Sequence, residues 1–189
     1  MQGKLIIFSA PSGAGKTTLV IHLLAQGLPL SFSISACTRA PRINEVNGED
    51  YHFISLDSFK EKIKAGEFLE WEQVYEDVYY GTLLAELERI WALGKHVIFD
   101  VDVKGGLKIK NIFPTQSLAI FVMPPSVEQL EERIRNRKTE TTENIEKRIS
   151  KATYELEFAN EFDYILLNDN LEIAKSEAYT IVADFLNVV

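Results

Sequence analysis

The sequence predicts an α/β protein in which helices flank a parallel sheet and a smaller, mainly β insertion interrupts the pattern. Short apolar runs of strand length occur at residues 5–8, 96–101, 117–123 and 164–167, and segments of helical period lie between them. This alternation favours a parallel sheet, because each parallel connection needs a crossover. Aromatic residues crowd between about residues 39 and 82, with polar turns between them. That change of texture predicts the insertion, built around a short helix.

Composition limits the partners that the chain can have. At 189 residues, with 46% hydrophobic and 25% charged residues, one domain spanning 1–189 is expected. The net charge of −8 argues against broad binding to nucleic acid or anionic membranes, which reward clustered Lys and Arg. Cys37 is the only cysteine, which excludes an intramolecular disulfide and fits a cytoplasmic protein. The run at residues 5–8 is too short for a signal sequence or membrane span, so no targeting segment is expected.

A phosphate-binding loop follows the first predicted strand. The loop and the start of the next helix consist of Ala10, Pro11, Ser12, Gly13, Ala14, Gly15, Lys16, Thr17 and Thr18. This strand–loop–helix setting is the one that a P-loop NTPase-type sheet requires, so these residues are predicted to bind ATP. Backbone N–H groups would face the phosphates, Lys16 would neutralise β/γ charge, and the Thr17 hydroxyl would ligate Mg²⁺. Ala10 stands where the first glycine is usual, and its methyl group costs little if φ there is negative.

An acidic element ends the second long apolar run. Asp100 follows three apolar residues, where a nucleotide-binding sheet places the carboxylate that supports Mg²⁺. Thr17 and Asp100 are therefore the predicted Mg²⁺ residues. Asp102 would share a face with Asp100 if the strand continues.

A later helix and a polar break predict a mobile lid. Ser126 and Gln129 have capping-box spacing at the start of the helix. Arg133 and Arg137 lie four residues apart and would project from one face. The polar stretch 138–144 then interrupts the apolar pattern before helical spacing resumes.

Several further strings occur at residues 33–42 (SISACTRAPR), 45–53 (EVNGEDYHF), 66–71 (GEFLEW), 79–82 (YYGT), 100–102 (DVD), 124–126 (PPS) and 133–148. Together they resemble guanylate kinases, the P-loop nucleoside monophosphate kinases that move the γ-phosphoryl group of ATP onto GMP. The resemblance covers nearly the whole chain, in order and at family spacing. The Thr-Arg-x-Pro-Arg and Tyr-Tyr-Gly-Thr elements are the most specific. It implies an enzyme that makes ADP and GDP in purine nucleotide metabolism and GMP recycling, with Mg²⁺.

The resemblance also implies roles for individual residues. Those implied to hold the GMP phosphate are Arg39, Arg42, Tyr51 and Tyr80. Those implied to contact guanine or complete the GMP site are Ser35, Glu70, Gly81, Thr82 and Asp102. Additions to the ATP site are Arg133 and Asn168, and the implied catalytic residues are Lys16, Arg39, Arg137 and Arg148. The implied units are a core of 1–38 and 83–189, a GMP-binding insertion of about 39–82 and a lid of about 133–148.

The chemistry of these side chains suits the division. Two guanidinium groups three residues apart, on Arg39 and Arg42, can clamp a phosphate dianion from two sides. Guanine presents N1–H and N2–H₂ as adjacent donors, so a carboxylate that accepts both selects guanine over adenine. Glu70 is the candidate for that role.

Two alternatives remain open at this level. One is a guanylate-kinase-like interaction module that has lost catalysis, although such a module is expected to have a broken phosphate loop or lid. The other is a P-loop kinase for a different acceptor, which the match around Glu70 and residues 80–82 disfavours. The sequence leaves the choice between monomer and homodimer open.

Overall fold

The computed structural model describes residues 3–135 and 142–187. Strands β1 to β9 span Leu5–Ser9, Leu30–Phe32, Ala36–Cys37, His52–Phe53, Phe68–Tyr75, Val78–Leu83, His96–Val101, Ser117–Met123 and Tyr164–Leu167. Helices α1 to α7 span Lys16–Leu24, Leu56–Lys64, Leu84–Ala92, Val103–Ile112, Val127–Arg135, Thr142–Leu156 and Leu171–Leu186, and a short 3₁₀ helix spans Ala159–Glu161.

The larger sheet has five parallel strands in the order β2-β7-β1-β8-β9. The predicted parallel α/β architecture is confirmed, and the four apolar runs all form strands of this sheet. Because β1 is central and helices cover both faces, all five of its residues are buried. Parallel strands end at one edge, so Ser9, Val101 and Met123 lie along the same side of the sheet.

Two apolar cores cover the two faces of this sheet. Side chains alternate along β1, so Ile6 and Phe8 join the core that contains residues of α1 and α7. Leu5 and Ile7 join the opposite core, which contains residues of α3 and α4. This two-sided packing fixes the strands whose carboxyl ends carry the candidate site.

A second sheet of four strands, in the order β4-β3-β6-β5, forms the insertion. Helix α2 packs against it through Phe59, which is fully buried and stacks on Phe68 at a ring-centroid distance of 4.4 Å. The strands of this sheet begin at Ala36 and end at Leu83. The chain therefore passes between the two sheets twice, through residues 33–35 and at the junction between β6 and α3.

The helix predicted from Ser126 is present as α5, and the Ser126 hydroxyl accepts a hydrogen bond from the Gln129 N–H at 3.2 Å.

None of the helices in residues 3–135 and 142–187 combines the length and the hydrophobicity that a membrane span requires.

Candidate active site

The loop between β1 and α1 has the backbone geometry of an anion cradle. Gly13 and Gly15 have φ values of 95° and 93°, a conformation that residues with a Cβ rarely adopt. Gly15 is the N-cap of α1, and no side chain caps this helix end. Ala10 has no positive φ, so its methyl group is tolerated as expected. The first N–H groups of α1 are thus left for a ligand, and the helix dipole favours an anion there.

Lys16, Thr17 and Asp100 meet at the end of this loop. The Lys16 ammonium forms an ion pair with Asp100 and donates to the Val101 carbonyl oxygen at 2.8 Å. The Thr17 hydroxyl donates to Asp100 Oδ2 at 2.6 Å. A hydroxyl and a carboxylate at this distance are hard oxygen donors of the kind that Mg²⁺ prefers. The residues that the sequence predicted for Mg²⁺ therefore fit that ion.

Asn168 contacts the loop between β1 and α1. It is 5% exposed, and its Nδ2 donates to the Ala14 carbonyl oxygen at 2.7 Å. A Cβ on Gly15 would collide with the same amide group. Arg133 Nη2 lies 3.5 Å from the Asn168 carbonyl oxygen, at the limit of a hydrogen bond. Asn168 thus contacts the loop directly and Arg133 contacts Asn168, although neither side chain lines the cleft described below.

Arg39 lies on the other side of the site and is already paired. Its Nη1 and Nη2 donate to the two Glu45 carboxylate oxygens at 2.6 and 2.7 Å, and its Nε donates to the Tyr80 hydroxyl at 2.9 Å. The guanidinium also lies 5.0 Å from the centre of the Tyr51 ring. Glu45 accepts a further bond from the Arg42 N–H at 2.7 Å.

Glu45 was assigned no role from the sequence, although an acidic residue six positions after Arg39 is a detectable signal. Its hydrogen bonds with Arg39 lower the pKa of the Glu45 carboxyl to about 2. It is therefore ionised at neutral pH and neutralises the cation predicted to hold a phosphate.

Glu70 lies on β5 and is 7% exposed. Its Oε1 accepts hydrogen bonds from the Thr82 N–H at 3.1 Å and the Thr82 hydroxyl at 2.7 Å. Burial raises the pKa of the Glu70 carboxyl to about 7, and the charge of Asp102 adds to the rise. Ser35 is nearly buried in the same region.

Asp102 does not continue the strand, since β7 ends at Val101 and Asp102 caps α4. Its Oδ1 accepts the Gly105 N–H at 2.8 Å. The strand therefore does not continue to Asp102, and the condition under which this residue would share a face with Asp100 is not met. The strong preference of a helix N-terminus for Asp explains the change. A Cβ on Gly105 would lie 2.8 Å from Glu70 Oε2, so this glycine keeps the space between the two carboxylates.

One cleft of about 340 Å³ joins the two sides. The predicted residues that line it are Ala10, Pro11, Ser12, Gly13, Gly15, Lys16, Thr17, Thr18, Ser35, Arg39, Arg42, Tyr51, Glu70, Tyr80, Gly81, Asp100, Asp102 and Arg148. Ala14 and Thr82 do not line the cleft but bond to residues that do, Ala14 to Pro11 and Thr82 to Glu70. Arg137 lies outside the described residues.

The cleft also contains Glu155 of α6, which the sequence reasoning missed. Glu155 is 7% exposed and lies 3.4 Å from Lys151 Nζ. Burial raises the pKa of its carboxyl. The available signal was an acidic side chain close to the apolar positions Ala152 and Leu156 of a helix.

The fold and loop define a P-loop protein of the NTPase type, with a cleft of about 340 Å³ beside the phosphate loop. The guanylate kinase family model matches residues 2–188. The guanylate kinase of Bacteroides fragilis is 50% identical over 187 residues, covering 99% of this chain and 92% of that protein. That of Porphyromonas gingivalis is 47% identical over 184 residues, covering 97% and 98%. The chain belongs to the guanylate kinase family.

A solved structure agrees with this assignment. The crystal structure of guanylate kinase from Anaplasma phagocytophilum superposes with a TM-score of 0.79 at 26% identity, over 96% of this chain and 85% of that one. Family members phosphorylate GMP with ATP to give GDP, and the predicted enzyme class is confirmed.

Proposed function

We propose that the cleft holds ATP and GMP together, with ATP on the phosphate loop and GMP between the small sheet and Asp102. The observation that carries the proposal is that Lys16 of the core lines one cleft with Arg39 and Glu70 of the insertion. The core of 1–38 and 83–189, the insertion of about 39–82 and the lid of about 133–148 are proposed as the functional units.

The donor end would use residues 10–18 for the ATP phosphates. Free N–H groups at the start of α1 and the Lys16 ammonium suit the β/γ oxygens. Thr17 and Asp100 would hold Mg²⁺, which supplies charge neutralisation to the phosphates when bound. Asn168 would support this end through its bond to the loop, and Arg133 through its contact with the Asn168 carbonyl oxygen.

The acceptor end would divide GMP between two groups of residues. Arg39, Arg42, Tyr51 and Tyr80 would hold the phosphate, and Ser35, Glu70, Gly81, Thr82 and Asp102 would complete the guanine site. The Thr82 bonds occupy Glu70 Oε1, which leaves Oε2 beside Asp102 and Gly105 for the guanine donors. Because both carboxylates accept hydrogen bonds, they favour a base edge that carries donors.

Phosphoryl transfer needs position and charge more than a protein nucleophile. An oxygen of the GMP phosphate attacks the γ-phosphorus while the bond to the β–γ bridging oxygen breaks, and ADP leaves. Lys16, Arg39, Arg137 and Arg148 are proposed to stabilise the charge on the migrating group. Arg39 must then exchange Glu45 for phosphate oxygens when GMP enters. Arg148 lines the cleft from α6, which supports its part in this role.

A coupled assay of ADP release tests the proposal with GMP, AMP, UMP and no acceptor. We expect turnover with GMP, little with AMP or UMP, and almost none without acceptor. EDTA should abolish turnover, and Mg²⁺ should restore it. Equal rates with AMP would show an acceptor other than GMP. Tight GMP binding with no ADP release would show an interaction module.

We place the enzyme in the cytoplasm, as a monomer or a homodimer. Light scattering distinguishes these two oligomeric states.

A further inference from the structure

The insertion is connected to the core at two points that lie close together. Residues 33–35 lead from β2 of the large sheet to β3 of the small sheet. The chain returns where β6 ends at Leu83 and α3 begins at Leu84. Any rotation of the small sheet against the core must bend these two crossings.

Glu86 ties the two crossings together. It lies in the first turn of α3, directly after the return crossing, and it is 6% exposed. Its Oε2 accepts the Ile34 N–H, in the other crossing, at 2.9 Å. One carboxylate thus joins the end of the insertion to its beginning.

Arg89 and His52 extend this contact to both units. Arg89 Nε and Nη2 donate to the two Glu86 oxygens at 3.0 and 2.8 Å, and Nη2 also donates to the Phe32 carbonyl oxygen in β2 at 3.2 Å. His52 Nε2, on β4 of the small sheet, lies 3.7 Å from Glu86 Oε1. The His52 N–H is bonded to the Ser35 carbonyl oxygen at 2.9 Å.

The cluster has the chemistry of a firm attachment. Burial alone would raise the pKa of the Glu86 carboxyl, but the bonds from Arg89 and the Ile34 N–H outweigh it and lower the pKa. Glu86 is therefore ionised at neutral pH. Hydrogen bonds to a charged, nearly buried acceptor are stronger than those between neutral groups, and removing the acceptor leaves the Ile34 N–H and Arg89 without it.

We infer that Glu86 clamps the hinge of the insertion and thereby acts as a positioning residue for acceptor binding. The inference rests on the proposed function, in which the insertion binds GMP. With the clamp in place, the small sheet is held in one orientation against Asp102 and the phosphate loop. Without it the sheet samples more orientations, and binding GMP must then restrict them at a cost in affinity. ATP contacts the core and bears no such cost.

Hydrogen exchange tests the hinge directly. In Glu86→Ala, the Ile34 amide should exchange at least about tenfold faster, the loss expected for one hydrogen bond to a charged acceptor. The adjacent Ser33 amide, which is bonded to Ile98 in the core sheet, is an internal control and should change little. Glu86→Gln keeps the shape of the side chain and serves if the alanine variant folds poorly; an intermediate acceleration is expected there.

Calorimetry tests the consequence for binding. The dissociation constant for GMP should rise roughly three- to tenfold in the Glu86 variants, while that for ATP stays within error. Asp163→Asn is the matched control, because Asp163 also joins a backbone N–H to a lysine, Ala119 and Lys110, but entirely within the core. It should lower stability without separating the two affinities.

The outcomes distinguish the clamp from the site. Unchanged exchange at Ile34, or equal weakening of GMP and ATP, would overturn the clamp. Glu70→Gln is measured in parallel: if it leaves GMP affinity unchanged, the proposed acceptor site is wrong, whatever the Glu86 variants do. If Glu70→Gln weakens GMP binding and the Glu86 variants bind GMP normally, only the clamp is rejected.

Discussion

The donor and acceptor ends of the cleft differ in how far their charges are already arranged. At the donor end, Lys16 and Thr17 converge on Asp100, and the helix N-terminus beside them carries no capping side chain. At the acceptor end, Arg39 is occupied by Glu45, and Glu70 has a pKa near neutrality. Lys16 is thus paired with Asp100 as Arg39 is paired with Glu45, so under the proposed function a cation must exchange its partner at either end. At the acceptor end the proposed function also requires a buried carboxyl, that of Glu70, to be ionised when GMP binds.

The difference follows from the supporting structure. Lys16 and Thr17 follow β1, and Asp100 lies near the end of β7; these are neighbouring strands of a sheet buried on both faces, so packing holds the donor residues in place. Most of the acceptor residues lie on or next to the four-stranded sheet, which is joined to the core by two crossings, whereas Asp102 belongs to the core. Under the proposed function, affinity for the acceptor therefore depends on how firmly the two crossings hold the small sheet, whereas affinity for the donor depends on the packed core.

The largest effect is expected at the donor end. Lys16→Met removes the charge that faces the β/γ oxygens and leaves Asp100 without its partner, so kcat should fall by more than about 10³-fold. GMP affinity, measured by calorimetry, should remain. Lys110→Met is a matched control, since Lys110 also contacts a carboxylate and a carbonyl oxygen, on Asp163 and Glu161, away from the cleft. Equal loss of GMP affinity in Lys16→Met would contradict the separation of the two ends.

The second largest effect is expected for Arg148 of α6, which is proposed to stabilise the charge on the migrating phosphoryl group. Arg148→Ala should lower kcat by roughly 10³-fold, the lower end of the effect of an arginine finger, with much less change in the GMP dissociation constant. Arg148→Lys keeps the charge but loses the planar fork, and should recover little. Native-like single-turnover transfer in Arg148→Ala would reject the role, because removing a group that stabilises the transition state must slow the chemical step.

The two ends were not equally accessible to sequence reasoning. The donor loop could be predicted because its glycines, Lys16 and Thr17 are local in sequence and the buried strand before them is an unambiguous apolar run. The parallel sheet followed from the same alternation. The partners of the insertion could not be predicted in the same way. The bonds from Arg39 to Glu45 and from the Ile34 N–H to Glu86 depend on how the small sheet folds back on the chain. The strand does not continue to Asp102 for a local reason, since β7 ends one residue earlier and the Asp102 side chain caps α4.

A moderate effect is expected for the carboxylate proposed to select guanine. Glu70→Gln replaces one acceptor oxygen with a donor group that faces a guanine N–H, at a cost of about 1–3 kcal/mol. The ratio of kcat/KM for GMP over AMP should fall accordingly. Glu72→Gln, two residues along the same strand and paired with Lys108, is the control and should change the ratio less. An unchanged ratio in Glu70→Gln would mean that another residue selects the base.

The smallest effect, and the sharpest test of the difference between the ends, is the pH dependence of GMP binding. Glu70 must be ionised to accept two guanine donors, but burial raises its pKa to about 7. GMP affinity should therefore weaken as pH falls below 7, by no more than about tenfold per unit for one proton. The GMP phosphate also titrates near pH 6, so the Glu70→Gln variant supplies the background. Titrations from pH 6 to 8 should converge for the two proteins at the acidic end.

The stability of the free protein must change in the opposite sense. The pKa of Glu70 in the folded state, about 7, lies above the ordinary value of 4.5, so the folded state binds this proton more tightly than the unfolded state does. The stabilisation that this proton gives is complete below pH 4.5 and is lost as pH rises through 7. Urea unfolding should therefore show Glu70→Gln gaining stability relative to the natural protein between pH 5 and 8. If the two proteins keep a constant difference over that range, the pKa of Glu70 is not near 7, and no change of protonation distinguishes the acceptor end from the donor end.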